Sequence, residues 1–204
     1  MAASAGLIDA PNFVRAVRES GYLNLATALA ELVDNSLQAG STEVDITLER
    51  QERDSLPVIT IEDNGNGMSR DELAACLRFG GSSRFNSRNS FGRFGMGLPA
   101  ASLSQARRVE VTTWQPGAGA LSVSLDVDAV AEGHDAALKP VAGAAGASES
   151  GCRVTWSECD RIEYRRLAWL ERSLNKDLGR MFRRFLTGGL ALRINGEAVQ
   201  PIDP

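Results

Sequence analysis

The chain has 204 residues, 43% of them hydrophobic and 24% charged, which is enough apolar material for one sizeable core. Its net charge of −4 supplies no global basic field, so nucleic acid or acidic lipid would be reached only locally or through another chain. Cys76, Cys152 and Cys159 include no close-spaced pair, which argues against a disulfide framework or a zinc site, and the start "MAASAGLIDAPNF" is not a signal peptide. With no apolar run of membrane-spanning length, a soluble cytoplasmic protein with a reducing surrounding is the expectation.

Residues 12 to 20 suit a short helix. From Asn24 to Ala39, Leu25, Ala28, Leu29, Leu32, Val33 and Leu37 repeat at helical spacing, and Gly40 is a natural stop. "EVDITLER" (43–50) alternates like a half-buried strand, with "PVITIED" (57–63) as its neighbour. Ser69 and Glu72 form a capping box for the helix "SRDELAACLRF". A Gly-, Ser-, Asn- and Arg-rich stretch follows, and then a helix over 98–106 with Pro99 in its first turn. "RVEVTTW" and "LSVSLDV" read as strands, 131–151 as an Ala/Gly-rich loop holding the sole histidine, His134, and "CRVTWSE" as a strand. A basic helical region over 161–186 packs through Leu167, Leu170, Leu174, Leu178, Met181 and Phe185, its arginines forming a solvated face. "LALRING" and "EAVQPIDP" close the chain as a strand pair. This order predicts an α+β, two-layer sandwich, a mixed sheet with helices on one face, and not a doubly wound βαβ fold.

Three stretches hold chemistry. In "ELVDNSLQAG" (31–40), Glu31 and Asn35 stand one turn apart on one helix face, and Gln38 continues the stripe. A carboxylate there can orient or deprotonate water and an amide oxygen can ligate Mg²⁺, although the stripe alone reads first as a solvated face. In "EDNGNGM" (62–68), Asp63 ends a strand before Gly-Asn-Gly, where it can accept a hydrogen bond from a ligand edge such as the adenine amine; alone, the stretch is a simple turn. "GRFGMGLPAAS" (92–102) spells G-x-x-x-x-G but continues Leu98-Pro99, so it is no Walker loop. It remains glycine-rich backbone entering a helix N-terminus, suited to phosphate or to a plain cap.

Together, in order and spacing, these stretches resemble the ATP-binding boxes of the GHKL superfamily, which includes gyrase B, the heat-shock chaperone, histidine kinases and MutL. "ELVDNSLQAG" is similar to the Asn box in its MutL and MORC form, "DNGNGM" to the first glycine box, "GRFGMGL" to the second, and "GCRVTW" (151–156) to the last. The resemblance spans roughly residues 20 to 160, and "FGGSSRFNSRNSFGRFGMGLPAAS" looks most like MORC-type and related bacterial ATPases.

The resemblance implies a Bergerat-type ATP-binding fold, with ATP and Mg²⁺ as cofactors. It implies Glu31 as the general base, Asn35 as the Mg²⁺ ligand and Asp63 as acceptor of the adenine amine. Gly65, Gly67 and Met68 would form the pocket floor. Ser82 and Ser83 fall near the start of an ATP lid over about 79–97, and Gly92, Arg93, Phe94, Gly95, Met96, Gly97 and Leu98 form its phosphate-wrapping end. Arg84 and Arg93 could add charge there. Cys152 replaces the Thr usual in the last box, a weak donor in place of a hydroxyl that supports the adenine-water network. Glu31 stands where kinases of the superfamily commonly have Asn, and His134 has no dimerisation helix around it, so ATP hydrolysis is favoured over phosphotransfer, with a non-hydrolysing ATP switch still open. A single GHKL-type domain over 1–204 is expected, as part of a longer protein whose transducer domain would supply a lysine to the γ-phosphate. The implied partners are ATP, a second copy in an ATP-dependent homodimer, and that transducer domain or a partner protein; no membrane is implied, and nucleic acid only indirectly.

Overall fold

The computed structural model describes residues 9–50, 55–80, 96–132, 138–162 and 166–203. They form α1 (Ala10–Ser20), α2 (Leu25–Gln38), β1 (Glu43–Glu49), β2 (Val58–Asp63), α3 (Arg70–Cys76), α4 (Gly97–Gln105), β3 (Arg108–Trp114) and β4 (Leu121–Asp126). There follow α5 (Val127–Ala131), β5 (Val141–Ala142), β6 (Gly151–Ser157), α6 (Leu167–Met181), α7 (Arg183–Thr187), β7 (Ala191–Ile194) and β8 (Glu197–Ala198). The strands make one mixed sheet in the order β5-β4-β3-β6-β2-β1-β7-β8, in which β1 and β7 pair parallel and the other neighbours antiparallel. This is the mixed α+β architecture that the element order predicts.

Register gives the sheet its two faces. Leu48, Ile59, Trp156, Val109 and Leu125 form one row across β1, β2, β6, β3 and β4, and Ile46, Ile61, Val154, Val111 and Val123 form the next. All ten are buried. Helices cover this face: Trp156 Nε1 donates to Ser102 Oγ of α4 at 2.9 Å, α4 packs on α1 and α2, and α6 lies against α2 and β1. The other face is polar, with Asp45, Glu62, Arg153, Thr112 and Ser122 in one row and Arg153 Nε donating to Glu62 Oε2 at 2.7 Å. One apolar and one polar side is the usual economy of an antiparallel sheet.

Local signals fix the helices that matter to the site. Asn24 caps α2 by accepting from the Thr27 N–H. At the other end the N–H groups of Gly40 and Ser41 return to the carbonyls of Leu37 and Ser36, a Schellman closure. The Ser69–Glu72 capping box of α3 forms as the sequence indicates.

Three segments differ from the sequence reading. The strand ending "LSVSLDV" stops at Asp126, whose carboxylate accepts from the N–H groups of Asp128 and Ala129 and starts α5. Within the span read as loop, Val141 and Ala142 pair with β4. The basic helical region is not one helix: α6 ends at Met181, Phe182 turns into the core at 3% exposure, and α7 resumes at Arg183, which leaves Met181 and Phe185 about half exposed. The helical period does not continue through that break, so the packing predicted for those two side chains fails. Among the described residues no helix is long and apolar enough to cross a membrane.

Candidate functional site

The same register that builds the core also builds one end of the site. One row beyond Ile46 and Ile61, the helix-covered face carries Val44, Asp63, Cys152 and Thr113 side by side on β1, β2, β6 and β3. Asp63 is thus a carboxylate in a position where every other row holds apolar side chains. It is buried, and it is held by two donors: Ser36 Oγ of α2 to Oδ2 at 2.8 Å and the Gly65 N–H to Oδ1 at 2.9 Å. Burial raises its pKa above the ordinary carboxylate value, outweighing the opposite pull of those hydrogen bonds. Beside it, burial and then the Asp63 charge hold the Cys152 thiol well above its ordinary range, so it stays neutral.

The loop after Asp63 is tied down at each step. The Asn66 N–H donates to the Ala39 carbonyl at the end of α2, Gln115 Nε2 donates to the Asn66 carbonyl, and Ser150 Oγ donates to the Gly65 carbonyl. Thr113 Oγ1 accepts from the Met68 N–H at 2.7 Å and donates to the Gly151 carbonyl at 3.0 Å, which joins β3 and β6 to the loop. Gly67 has φ +65°, and a Cβ there would overlap the Trp114 carbonyl oxygen, so only glycine fits the turn.

The other end lies where α2 meets α4. A Cβ on Gly97 would overlap the Glu31 carboxylate, so the first residue of α4 sits directly against that side chain. The first-turn N–H groups of a helix lack intrahelical partners. Among the described residues no side chain caps those of α4, and Met96 at the cap position is exposed. Pro99 contributes no N–H, which leaves Gly97 and Leu98 as the donors of that turn. Asn35, one turn after Glu31, is half-buried, and its side-chain amide makes no hydrogen bond among the described residues.

The structure therefore brings Glu31, Asn35, Asp63, Gly65, Gly67, Met68, Gly97, Leu98 and Cys152 to α2, the end of β2 and the loop after it, the start of α4 and the start of β6. Gln38, at the end of the polar stripe, is exposed. Ser82, Ser83, Arg84, Gly92, Arg93, Phe94 and Gly95 lie outside the described residues, as do His134 and all of the expected lid except its flanks. Sequence reasoning missed Ser36 and Thr113, the two hydroxyls that fix Asp63 and Met68. Residues 23–151, more than half of the chain, match the family model for histidine kinase-, DNA gyrase B-, and HSP90-like ATPases. The chain belongs to this family. The Asn and glycine boxes described above all fall within or at the edge of the matched span. The DNA mismatch repair protein MutL of Shewanella sediminis is 34% identical over 130 residues, covering 57% of this chain and 18% of MutL. Protein MICRORCHIDIA 4 of Arabidopsis thaliana is 30% identical over 96 residues, 46% of this chain and 12% of that protein. MutL of Klebsiella pneumoniae reaches 48% over 52 residues, 26% of this chain and 8% of its own length. The similarity thus spans less than a fifth of each of these relatives.

The donor set fits the metal that this family implies. Among the described residues no group of three or more His, Cys, Asp or Glu side chains could hold an ion. Magnesium needs no such cage: it keeps waters and takes one or two protein oxygens together with substrate phosphates. The Asn35 side-chain amide, without a hydrogen bond among the described residues and one turn from Glu31, offers an oxygen of that kind.

Proposed function

We propose that this domain binds ATP with Mg²⁺ and hydrolyses it slowly, as the engine of a conformational or dimerisation cycle. One observation carries the reading. α2 presents Ser36 to a buried Asp63 at one end and the Glu31 carboxylate to Gly97, the first residue of α4, at the other. Asp63 would accept from the adenine amine, with Gly65, Gly67 and Met68 beneath the base. The Gly97 and Leu98 N–H groups, aided by the helix dipole, would donate to phosphate oxygens. Asn35 would be the protein ligand of Mg²⁺, which when bound neutralises charge on those oxygens.

Glu31 orients a water and takes its proton as the water oxygen bonds to the γ-phosphorus and the bridging β–γ P–O bond breaks. The products are ADP and phosphate. Cys152, a weak hydrogen-bonding group where the resemblance places a hydroxyl, would hold adenine less firmly. In a longer polypeptide or assembly, a second copy of the domain or a following transducer segment would complete the charge around the γ-phosphate and raise the rate.

Glu31→Ala is the test. Single-turnover hydrolysis should fall by about 10²-fold or more, while the ATP Kd measured by calorimetry stays within about twofold because a general base acts on water and not on the bound ground state. Unchanged turnover would remove Glu31 as base and leave a non-hydrolysing ATP switch as the better reading.

A further inference from the structure

Tyr22 stands in the connection between α1 and α2, outside the ATP-binding motifs. Its phenol O–H donates to Glu31 Oε2 at 2.9 Å. Its main-chain carbonyl accepts from Gln105 Nε2 at 2.9 Å, and Gln105 is the buried last residue of α4. The first residue of that helix, Gly97, lies against the same Glu31 carboxylate, with Oε1 as the nearest atom to a Cβ added there. Both ends of α4 are therefore referred to one side chain, the N-terminus by direct contact and the C-terminus through Gln105 and Tyr22. Burial first, and the Glu31 hydrogen bond second, push the phenol's ionisation up, so Tyr22 remains a donor across the working pH range.

We propose that Tyr22 is a positioning residue for hydrolysis: by holding Oε2 it fixes the rotamer of Glu31 and leaves Oε1, on the α4 side, as the oxygen that receives the proton. A glutamate has three side-chain torsions, and one that is only half-buried would otherwise sample several staggered wells. General-base catalysis depends first on such geometry. The inference rests on Glu31 being the base.

Tyr22→Phe removes a single O–H and keeps the ring. Single-turnover ATP hydrolysis should fall about tenfold, with the calorimetric Kd for ATP unchanged within about twofold. Thermal unfolding supplies a second axis: the substitution should lower Tm in the parent and leave it unchanged in a Glu31→Ala background, because the lost contact is already absent there. Equal losses of Tm in both backgrounds, or ATP affinity falling as far as the rate, would make Tyr22 a merely structural or nucleotide-contacting residue and overturn the proposal. Parent-like turnover in Tyr22→Phe, with Glu31→Ala inactive, overturns the role of Tyr22 alone. Parent-like turnover in Glu31→Ala overturns the base and the positioning role together.

Discussion

Replacing Asp63 with Asn separates what the carboxylate does for the fold from what it does for a ligand. Asn keeps the shape. Its Oδ1 can still accept from the Gly65 N–H, and its Nδ2 can donate to Ser36 Oγ, which now serves as acceptor. What disappears is a charge whose burial outweighs those two donors, leaving a pKa above the ordinary value of 3.8. A folded-state pKa above the unfolded one means that protonation favours the fold. That contribution is complete below the unfolded value and is lost as pH rises through the raised one. Asn cannot ionise and keeps that contribution at every pH, so the variant should melt higher than the parent at pH 7, and the gap should close as both are acidified below about pH 4. Binding should move the other way. An adenine amine donating to a carboxylate is a charge-assisted bond worth about 1.5–3 kcal/mol, or roughly 10- to 150-fold in Kd. Thermal melts across pH, with calorimetry of ATP at neutral pH, read both quantities. A variant that melts lower at pH 7 refutes the burial argument, and one that binds ATP like the parent refutes the adenine assignment.

Asn35→Ala should weaken ATP binding and turnover together and flatten the dependence of binding on Mg²⁺, measured by calorimetry at varied Mg²⁺ concentration. Gly97→Ala places a methyl group in the Glu31 carboxylate; single-turnover hydrolysis should fall steeply, and melting should report about 1–3 kcal/mol of overpacking. Thr113→Val strips partners from the Met68 N–H and the Gly151 carbonyl. Urea denaturation should show a loss of about 2 kcal/mol, with weaker ATP binding because the Met68 end of the loop is freed.

The elements that surround the site were readable because their signals are local. The α2 stripe of Leu25, Ala28, Leu29, Leu32 and Val33, the Gly40 stop and the Ser69–Glu72 box all act within a turn or two of chain. Glu31 and Asn35 could be paired for the same reason. The placement of Asp63 beside Cys152 and Thr113 is different in kind, because it depends on which strands become neighbours and in what register. Thr113 did leave a trace, since alternation in "RVEVTTW" puts it in phase with Val109 and Val111. Ser36 likewise falls on the packed side of α2 after Leu29, Leu32 and Val33. A hydroxyl on an apolar stripe looks like a tolerated small residue until its partner 27 positions away is known. Tyr22 left no signal at all: one aromatic in a short connection gains meaning only when α4 lies across it. The break at Phe182 was hidden because the apolar spacing continues past it while the backbone does not.

α2 also sets a rule for how this chain can vary. Glu31 and Ser36 are five residues apart on one rigid helix, about 7.5 Å along its axis. Inserting or deleting a residue between them would turn one relative to the other by about 100°, taking either the carboxylate away from Gly97 or the hydroxyl away from Asp63. Surface connections lengthen at little cost, but this stretch is locked in length. Heritable change there must come by replacement, and even the exposed Asp34 is not wholly free, because its charge interacts with Glu31 and Tyr22.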